Sequence, residues 1–162
     1  MYRDPRVYYE IRPTNFSVKI NEIDISGFTH MHEDIEILYM REGTQRILMD
    51  EKEYTVDTGD AIVIFPNCVH QYCRGEKPKP ADEVLIISSF KFYGKFLADL
   101  KDFIPENPII KKENISEDVK YAFSAIDKTE NEKVIAAWLV IIMSNIIGGL
   151  KLTRKKVFRL KK

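Results

Sequence analysis

The sequence predicts a mainly β chain in which a barrel or sandwich of short strands is followed by helices. Residues 1 to about 90 hold short apolar runs separated by frequent turn residues, a pattern typical of a barrel or sandwich rather than of alternating strands and helices. After about residue 90 the apolar residues recur at helical spacing. A length of 162 residues, of which 44% are hydrophobic, suits one domain, or one domain with an appendage, around a substantial core.

The strands are predicted to follow one another closely. Phe16, Val18 and Ile20 alternate with polar residues, which is the period of a half-buried strand, and Ile23 and Ile25 continue it before Gly27. Further strands are predicted at residues 30–40, 46–49, 54–56, 61–65 and 84–90. Turns are predicted at residues 42–43, 50–52, 58–60 and 66–67, and a loop at residues 74–82.

Two amphipathic helices are predicted after the strands. The first is defined by apolar residues at helical spacing before Pro105, namely Phe96, Leu97, Leu100 and Phe103. Ser116 is placed to cap the second helix, and the acidic residues 117 and 118 complement its dipole. The apolar stripe of the second helix consists of Val119, Ala122, Phe123 and Ile126.

The last predicted helix, about residues 134–150, is apolar on nearly all sides and includes Trp138. A transmembrane span needs about 20 apolar residues, whereas this run is shorter and is interrupted by Ser144-Asn145 and Gly148-Gly149. A helix buried within one domain is a second interpretation. A helix packed between the barrel and a partner chain explains the all-round hydrophobicity best, and it predicts a homodimer through residues 134–150.

The charges and cysteines exclude other classes of protein. With 25 basic and 25 acidic residues the formal net charge is zero, so the chain as a whole has no electrostatic reason to bind nucleic acid or anionic lipid. By contrast, residues 151–162 contain seven Lys or Arg and no acid. Cys68 and Cys73 lie five apart, which is not a zinc or redox pattern, and the polar N-terminus has no signal-peptide core. These features predict reduced thiols in a cytoplasmic protein that does not enter the membrane.

Three histidines and a glutamate are the most informative residues. If residues 30–36 form one β-strand, His30, His32 and Glu36 point to the same face, because alternate side chains share a side. His70 falls on a later strand that can pair beside this one, and Tyr72 has the parity of His70. Imidazoles and a carboxylate on one face are the groups of a metal site or of a polar ligand pocket.

Residues beside this group have weaker expected roles. Asp34 is expected to face inward and to orient a ligand, whereas Glu33 is expected to face out. A nucleophilic pair of Cys68 and His70 is a minor alternative, because buried cysteine is usually inert packing.

The histidines and their surroundings resemble the two sequence motifs of the cupin superfamily. The first motif is seen as Gly27, His30-x-His32, Glu36 and Gly43, and the second as Gly59-Asp60, Pro66-Asn67 and His70. Asn67 stands in a glycine position of the second motif, and asparagine tolerates the left-handed conformation of that turn. Arg74 stands where many cupins carry asparagine. The resemblance implies a cupin (jelly-roll) β-barrel.

The resemblance narrows to the N-terminal domain of AraC-type transcription regulators through Glu-Ile-Leu-Tyr after His-x-His and through Phe-Pro-Asn-Cys-Val-His-Gln-Tyr. In that family a cupin barrel binds a small effector, the following helices form the dimer interface, and two C-terminal helix-turn-helix units read DNA. The resemblance implies a barrel with an N-terminal arm at 1–90, a helical dimerisation segment at 91–150, and a basic tail or the start of a linker at 151–162. Contact with DNA is expected only through a C-terminal domain that is missing here.

The function that this resemblance implies is recognition of a sugar or another metabolite for transcriptional control, without catalysis. His30, His32, Glu36, His70 and Tyr72 would bind the effector, and the arm, residues 1–15, or a loop would become ordered. One alternative is a metal-dependent enzyme, such as a dioxygenase, isomerase or decarboxylase, in which His30, His32, Glu36 and His70 hold Fe, Mn, Ni or Zn. A regulator that keeps a metal in its effector site is compatible with both. A stand-alone metabolite sensor is a third possibility.

Overall fold

The structure, a computed structural model, describes residues 7–21, 28–73, 82–94, 97, 100 and 102–155. Within these residues two five-stranded sheets enclose an apolar interior as a β-barrel, and two helices cover the outer face of the second sheet. The predictions made for Ile23, Ile25, Gly27, Arg74 and Phe96 lie outside the described residues, as does nearly all of the loop predicted at 74–82.

The elements have the following bounds in the described part of the chain. The strands are β1 (Tyr8–Tyr9), β2 (Phe16–Ile20), β3 (His30–Met31), β4 (Ile35–Glu42), β5 (Thr44–Met49), β6 (Lys52–Asp57), β7 (Ala61–Ile64), β8 (His70–Cys73), β9 (Asp82–Ser88), β10 (Phe103–Pro105), β11 (Ile109–Ile110) and β12 (Leu152–Arg154). The helices are α1 (Phe90–Tyr93), α2 (Glu117–Ala125) and α3 (Glu132–Gly148).

The first sheet has the strand order β1-β3-β8-β5-β6, and the second has the order β11-β7-β4-β9-β2. Strand β1 runs parallel to β3, whereas the other pairs of these two sheets are antiparallel in the described residues. The register places His30 opposite His70 in the first sheet. In the second sheet it places Glu36 between Ile64 and Ile87.

Strand β4 explains why the second sheet is buried on both faces. Ile35 and Ile37 point outward into a core shared with the helices, and Leu38 and Met40 belong to the barrel interior. All four side chains are 0% exposed. Glu36 has the parity of the inward residues, so this strand carries a carboxylate into an otherwise apolar interior.

The turn at Asn67 has the backbone conformation predicted from the sequence. Asn67 has a φ of 62°, in the left-handed region that asparagine tolerates. Its backbone N–H donates to the carbonyl oxygen of His32 at 2.8 Å. The two sequence motifs are therefore joined by a main-chain hydrogen bond next to the histidines.

Helix α2 follows the sequence closely. Ser116 occupies the N-cap position, although its side chain makes no capping hydrogen bond. The predicted apolar stripe is buried, with Val119, Ala122, Phe123 and Ile126 each at most 2% exposed. Phe123 stacks on Tyr39 of β4 with ring centroids 4.2 Å apart, so the stripe packs on the outer face of the barrel.

The helix predicted to end at Pro105 is wrong where the structure describes it. Phe103–Pro105 are strand β10, which pairs with β12, and the earlier helix α1 ends at Tyr93. The pairing with Leu152–Arg154 overrides the helical spacing of apolar residues. The same pairing places a strand within the segment that was expected to be a basic tail or the start of a linker.

Helix α3 spans Glu132–Gly148, close to the predicted 134–150. One face lies in the chain's own core and consists of Leu139, Ile142, Met143, Ile146 and Ile147. On the opposite side Ala137 and Ser144 are exposed and Ile141 is half-buried. No helix in the described part of the chain is long and apolar enough to cross a membrane.

Candidate metal centre and ligand cavity

The predicted donor residues converge, but not because they share one strand. His30 lies on β3 of the first sheet and Glu36 on β4 of the second, and His32 lies in the segment that connects them. The prediction of one continuous strand at 30–40 is therefore wrong, since the chain bends at residues 33 and 34 and changes sheet. The crossing between sheets, rather than strand parity, brings these side chains together.

His30, His32, Glu36 and His70 form a compact cluster. Each offers one ligand atom, and these atoms all lie within 4.8 Å of one another. Oε2 of Glu36 lies 3.0 Å from Nε2 of His32 and 3.7 Å from Nε2 of His70. His32, Glu36 and His70 are each 1% exposed, whereas His30 is half-buried at the edge of the cluster.

Backbone carbonyls orient the three imidazoles. Nδ1 of His30, His32 and His70 lies 3.1, 2.9 and 3.0 Å from the carbonyl oxygens of Phe28, Asp34 and Cys68, respectively. A carbonyl oxygen only accepts hydrogen bonds, so each Nδ1 donates, which leaves Nε2 as the ring nitrogen available to Glu36 or to a metal ion. This outer hydrogen bond is typical of histidines that bind metals.

Three residues beside the cluster had expected roles, namely Asp34, Glu33 and Cys68. Asp34 orients His32 through its backbone carbonyl rather than through its carboxylate. Glu33 is exposed, as expected. The thiol of Cys68 donates to Oδ2 of Asp50 at 3.1 Å, and burial raises its pKa, which opposes formation of a nucleophilic thiolate.

The charges of the cluster depend on one another. Burial by itself disfavours the Glu36 carboxylate, but His32 and His70 outweigh this effect and hold the pKa of Glu36 well below its ordinary value. Burial likewise works against the charged form of His70, but the Glu36 carboxylate raises the pKa of His70 above its ordinary value. Burial and the neighbouring His70 lower the pKa of His30.

The donor set fits a divalent metal ion. Nε2 of His70 is a buried nitrogen without a hydrogen-bond partner in the described part of the chain, and such a group costs about 1–3 kcal/mol when left unpaired. A cation among the four donors would use that lone pair and balance the carboxylate. Three imidazoles and one carboxylate suit Zn, Ni, Mn or Fe.

Tyr72 reaches the cluster from the first sheet. Its hydroxyl donates a hydrogen bond to Oε1 of Glu36. Burial, followed by the negative charge of Glu36, raises the pKa of Tyr72 well above its ordinary value, so the hydroxyl keeps its proton. The structure thus makes Tyr72 a partner of Glu36, and the same side chain lines a cavity.

The cavity has a volume of about 470 Å³ and opens beside the cluster. Its wall consists of Tyr8, Glu10, Arg12, Lys19, Phe28, His30, Glu36, Tyr72, Leu85 and Ile87. The sequence analysis named His30, Glu36 and Tyr72 but missed Arg12 and Lys19. On β2 the apolar residues Phe16, Val18 and Ile20 pack against the outer core, which turns Lys19 toward the barrel interior. The alternation on β2 was visible in the sequence, but the side of the sheet that faces the barrel was not.

Comparison with known proteins identifies the barrel. Residues 17–87 match the family profile "Cupin domain". The matched range runs from β2 to β9 and contains all four donor residues. The fold is therefore that of a cupin domain over these residues, a jelly-roll barrel, followed by helices, as the two motifs predicted.

Solved structures to which this chain is similar include a cupin protein and AraC-like regulators. A cupin protein of Bacteroides fragilis is 23% identical over 48% of this chain and 68% of its own, with a TM-score of 0.40. A variant of apo ToxT from Vibrio cholerae is 13% identical over 86% of this chain and 58% of its own, with a TM-score of 0.49.

The AraC-like transcriptional activator CuxR is 10% identical over 76% of this chain and 46% of its own, with a TM-score of 0.50. This chain thus spans about half the length of the two AraC-like structures. At 10% identity the likeness to CuxR concerns the fold alone. A comparison with curated protein sequences finds no significant match.

Proposed function

We propose that this chain is the small-molecule effector-binding and dimerisation domain of a cytoplasmic AraC-type transcriptional regulator. The observation that carries the proposal is the cavity inside the barrel, whose largely apolar wall carries several charged side chains and which touches the histidine cluster on one side and the N-terminal arm on the other. Such a cavity can hold a metabolite of modest size. Contact with DNA would be made by a separate helix-turn-helix unit.

His30, His32, Glu36 and His70 would hold a divalent metal ion within the effector site. When bound, the ion would supply a Lewis acid that attracts oxygen atoms of the effector. The protein would keep the histidine rings oriented through the three backbone carbonyls and keep the Glu36 carboxylate in place through Tyr72.

The arm provides a route from the cavity to the rest of the molecule. Strand β1 lies beside β3, held by hydrogen bonds from Tyr8 N to Thr29 O at 3.0 Å and from Glu10 N to Met31 O at 2.9 Å. Tyr8, Glu10 and Arg12 also line the cavity. An effector that contacts them would bind the docked arm better than the released arm, and this difference in affinity would shift the population.

Dimerisation is proposed to use the outer face of α3. Its inner face already packs in the chain's own core, while Val134, Ala137 and Ser144 are exposed and Ile141 is half-buried. A second copy of α3 across these small and apolar residues would bury them in a two-fold interface.

Metal and effector binding by the purified chain tests the proposal. We expect isothermal titration calorimetry and elemental analysis to show one divalent ion per chain, and Glu36→Gln to lose it because a neutral amide cannot balance the cation. Glu53→Gln is the matched control, since Glu53 is exposed and pairs with Arg46 on the surface. A wild-type chain that takes up no metal, together with a Glu36→Gln variant that binds effectors normally, would contradict the proposed site.

A metal-dependent cupin enzyme is the second candidate, and the complete set of four donors favours it. Oxygen consumption by the iron-loaded chain in the presence of an organic substrate would support it over the regulator. A chain that binds its ligand and returns it unchanged would support the regulator.

A further inference from the structure

Some buried polar side-chain atoms without partners lie in or near the barrel cavity. In the described residues these unpaired side-chain atoms are Arg12 Nε, Ser17 Oγ, Arg41 Nε, His70 Nε2 and Asp82 Oδ1. Two of these residues already form an ion pair with each other, with Nη1 of Arg41 lying 3.5 Å from Oδ1 of Asp82. Arg12 lines the cavity, and Ser17 and His70 lie on strands beside it. Buried polar groups in native proteins usually have partners. A metal ion would satisfy His70, so Arg12 and Ser17 indicate a further polar ligand.

The strand register places Ser17 and Lys19 across the sheet from Glu36. Ser17 lies opposite Ile87, which lies opposite Glu36, and Lys19 lies opposite Leu85 in the next row. Residues that are directly opposite share a face, so Ser17, Lys19 and Glu36 all point into the barrel. Two strand spacings separate Ser17 from Glu36, which is about 10 Å.

The wall between these two polar ends is apolar. Leu85 and Ile87 lie on β9, between Lys19 and Ser17 on one side and Glu36 on the other, and both line the cavity. A ligand that reaches both ends would therefore lay a hydrocarbon segment over Leu85 and Ile87.

The charged side chains of the cavity wall favour an anionic ligand once a metal is bound. Arg12 pairs with Glu10 through Nη2 at 2.8 Å, which leaves its Nε unused. The side chain of Lys19 has no hydrogen bond or ion pair with any residue that the structure describes, and it lines the cavity. Among the residues that line the cavity, the cations Arg12 and Lys19 balance the carboxylates Glu10 and Glu36, so a divalent ion at the cluster would leave this wall with an excess of two positive charges. A neutral sugar would compensate neither.

We propose that the effector is a small dicarboxylic acid, with one carboxylate at Lys19 and Ser17 and the other between Arg12 and the Glu36 cluster. This inference rests on the proposed function, because it assigns a ligand class to the same cavity. Guanidinium and ammonium groups bind carboxylates through charge-assisted hydrogen bonds, and the Ser17 hydroxyl would supply one more. The carbon chain between the carboxylates would lie on Leu85 and Ile87.

The test compares acids with their amides, which have nearly the same size but no charge. The metal-loaded full chain is titrated calorimetrically with succinate, glutarate and adipate, with succinamide, glutaramide and adipamide, and with L-arabinose. We expect at least one diacid to bind, and its diamide and L-arabinose to bind at least about tenfold more weakly.

Variants locate the carboxylate in the cavity. Arg12→Gln and Lys19→Gln are each expected to weaken diacid binding at least about tenfold while metal content stays unchanged. Lys52→Gln removes an exposed lysine of β6 and serves as the matched control. Because Arg12 is largely buried, circular dichroism and metal content verify that its variant is folded, and Lys19→Gln provides an independent test.

The outcomes separate this inference from the proposed function. Equal binding of diacids and diamides, preference for L-arabinose, or insensitivity to both cavity variants overturns the acid assignment and leaves an effector site standing. Metal uptake without binding of any diacid also overturns it. A chain that takes up neither metal nor any of the probes contradicts the proposed function as well.

Discussion

The hydroxyl of Tyr72 on β8 donates a hydrogen bond to Oε1 of Glu36 on β4, across the interior of the barrel. The other carboxylate oxygen of Glu36 lies 3.0 Å from Nε2 of His32. Both oxygens of a 1% exposed carboxylate are thereby fixed in direction. The carboxylate faces the histidines because Tyr72 holds it from behind.

Replacing Tyr72 with phenylalanine tests this positioning. Tyr72→Phe keeps the ring and removes the hydroxyl, so we expect the fold to persist and the affinity for a divalent ion to fall about 10- to 100-fold. Titration calorimetry with Ni²⁺ or Zn²⁺ gives the affinity. Tyr121→Phe, on the exposed surface of α2, controls for the loss of a hydroxyl elsewhere. Equal affinities of the two variants would mean that Tyr72 does not position Glu36.

His32→Ala is expected to abolish binding of metal and effector while leaving the oligomeric state unchanged. The side chain of His32 contacts Glu36 inside the barrel, far in the fold from the outer face of α3. Elemental analysis and light scattering on the same sample measure both properties. A variant that binds normally would place the pocket elsewhere.

Stability of the metal-free chain is expected to depend on pH in two opposite ways. The pKa of His70 in the folded chain is raised above 6.5. Its contribution to the free energy of unfolding is therefore complete below about that pH and is lost as the pH rises through the folded pKa. The folded pKa of Glu36 is lowered below 4.5, so its contribution is present above about that pH and is lost as the pH falls. Urea denaturation at a series of pH values should place the maximum between the two.

Metal binding is expected to reverse the loss of stability that the metal-free chain shows as the pH rises through the folded pKa of His70. Protons compete with the metal for the histidine nitrogens, so added metal should stabilise the chain more as the pH rises. His70→Gln is the control, since it removes both the upper limb of the metal-free profile and most of the metal effect. A wild-type profile that His70→Gln leaves unchanged would assign the pH dependence to other groups.

The proposed dimer interface is tested best at Ala137, which is exposed on the outer face of α3. By contrast, Ile142 of the same helix is 1% exposed and lies in the chain's own core. We therefore expect Ile142→Glu to unfold the chain, because an unpaired buried charge costs several kcal/mol. Ala137→Glu should instead give a folded monomer by light scattering. A folded dimer of Ala137→Glu would remove this face of α3 from the interface.

Arg41 joins the barrel to the helices. Its guanidinium donates to the carbonyl oxygen of Phe123 at 2.6 Å and to Oδ2 of Asp127 at 2.7 Å. Arg41→Ala should lower the free energy of unfolding by about 1–3 kcal/mol in urea denaturation. Arg46→Ala breaks an exposed pair with Glu53 and should cost less than about 1 kcal/mol. Similar losses of stability in both variants would show that the Arg41 contacts stabilise the fold no more than an exposed ion pair does.

The sequence predicted the barrel and the clustering of four possible donor residues because both have local signatures. Turn residues such as Asn67 separate the strands, and the spacing of His30, His32, Glu36 and His70 identifies the cupin motifs. The reason for convergence could not be predicted, because the bend at residues 33 and 34 is stabilised by contacts with Asn67 and with the Asp34 carbonyl. Spacing alone does not distinguish one strand from two.

Long-range pairing explains the remaining differences. Phe103 has helical spacing to Leu100, but it becomes a strand residue because Arg154, far along the chain, pairs with it. Lys19 reads as the solvent side of a half-buried strand, yet it faces the cavity because the apolar side of β2 packs outside the barrel. In each case the deciding partner is distant in sequence, where periodicity gives no information.

The donors of the cluster come from opposite walls of the barrel. His30 and His70 belong to the first sheet, Glu36 belongs to the second, and His32 sits on the chain that passes between them. An ion held by all four residues would cross-link the two sheets at this end of the barrel. Without the ion the two sheets would be free to separate at this end of the barrel. Because the N-terminal arm docks on the first sheet at the same end, its position would then depend on whether the metal is bound.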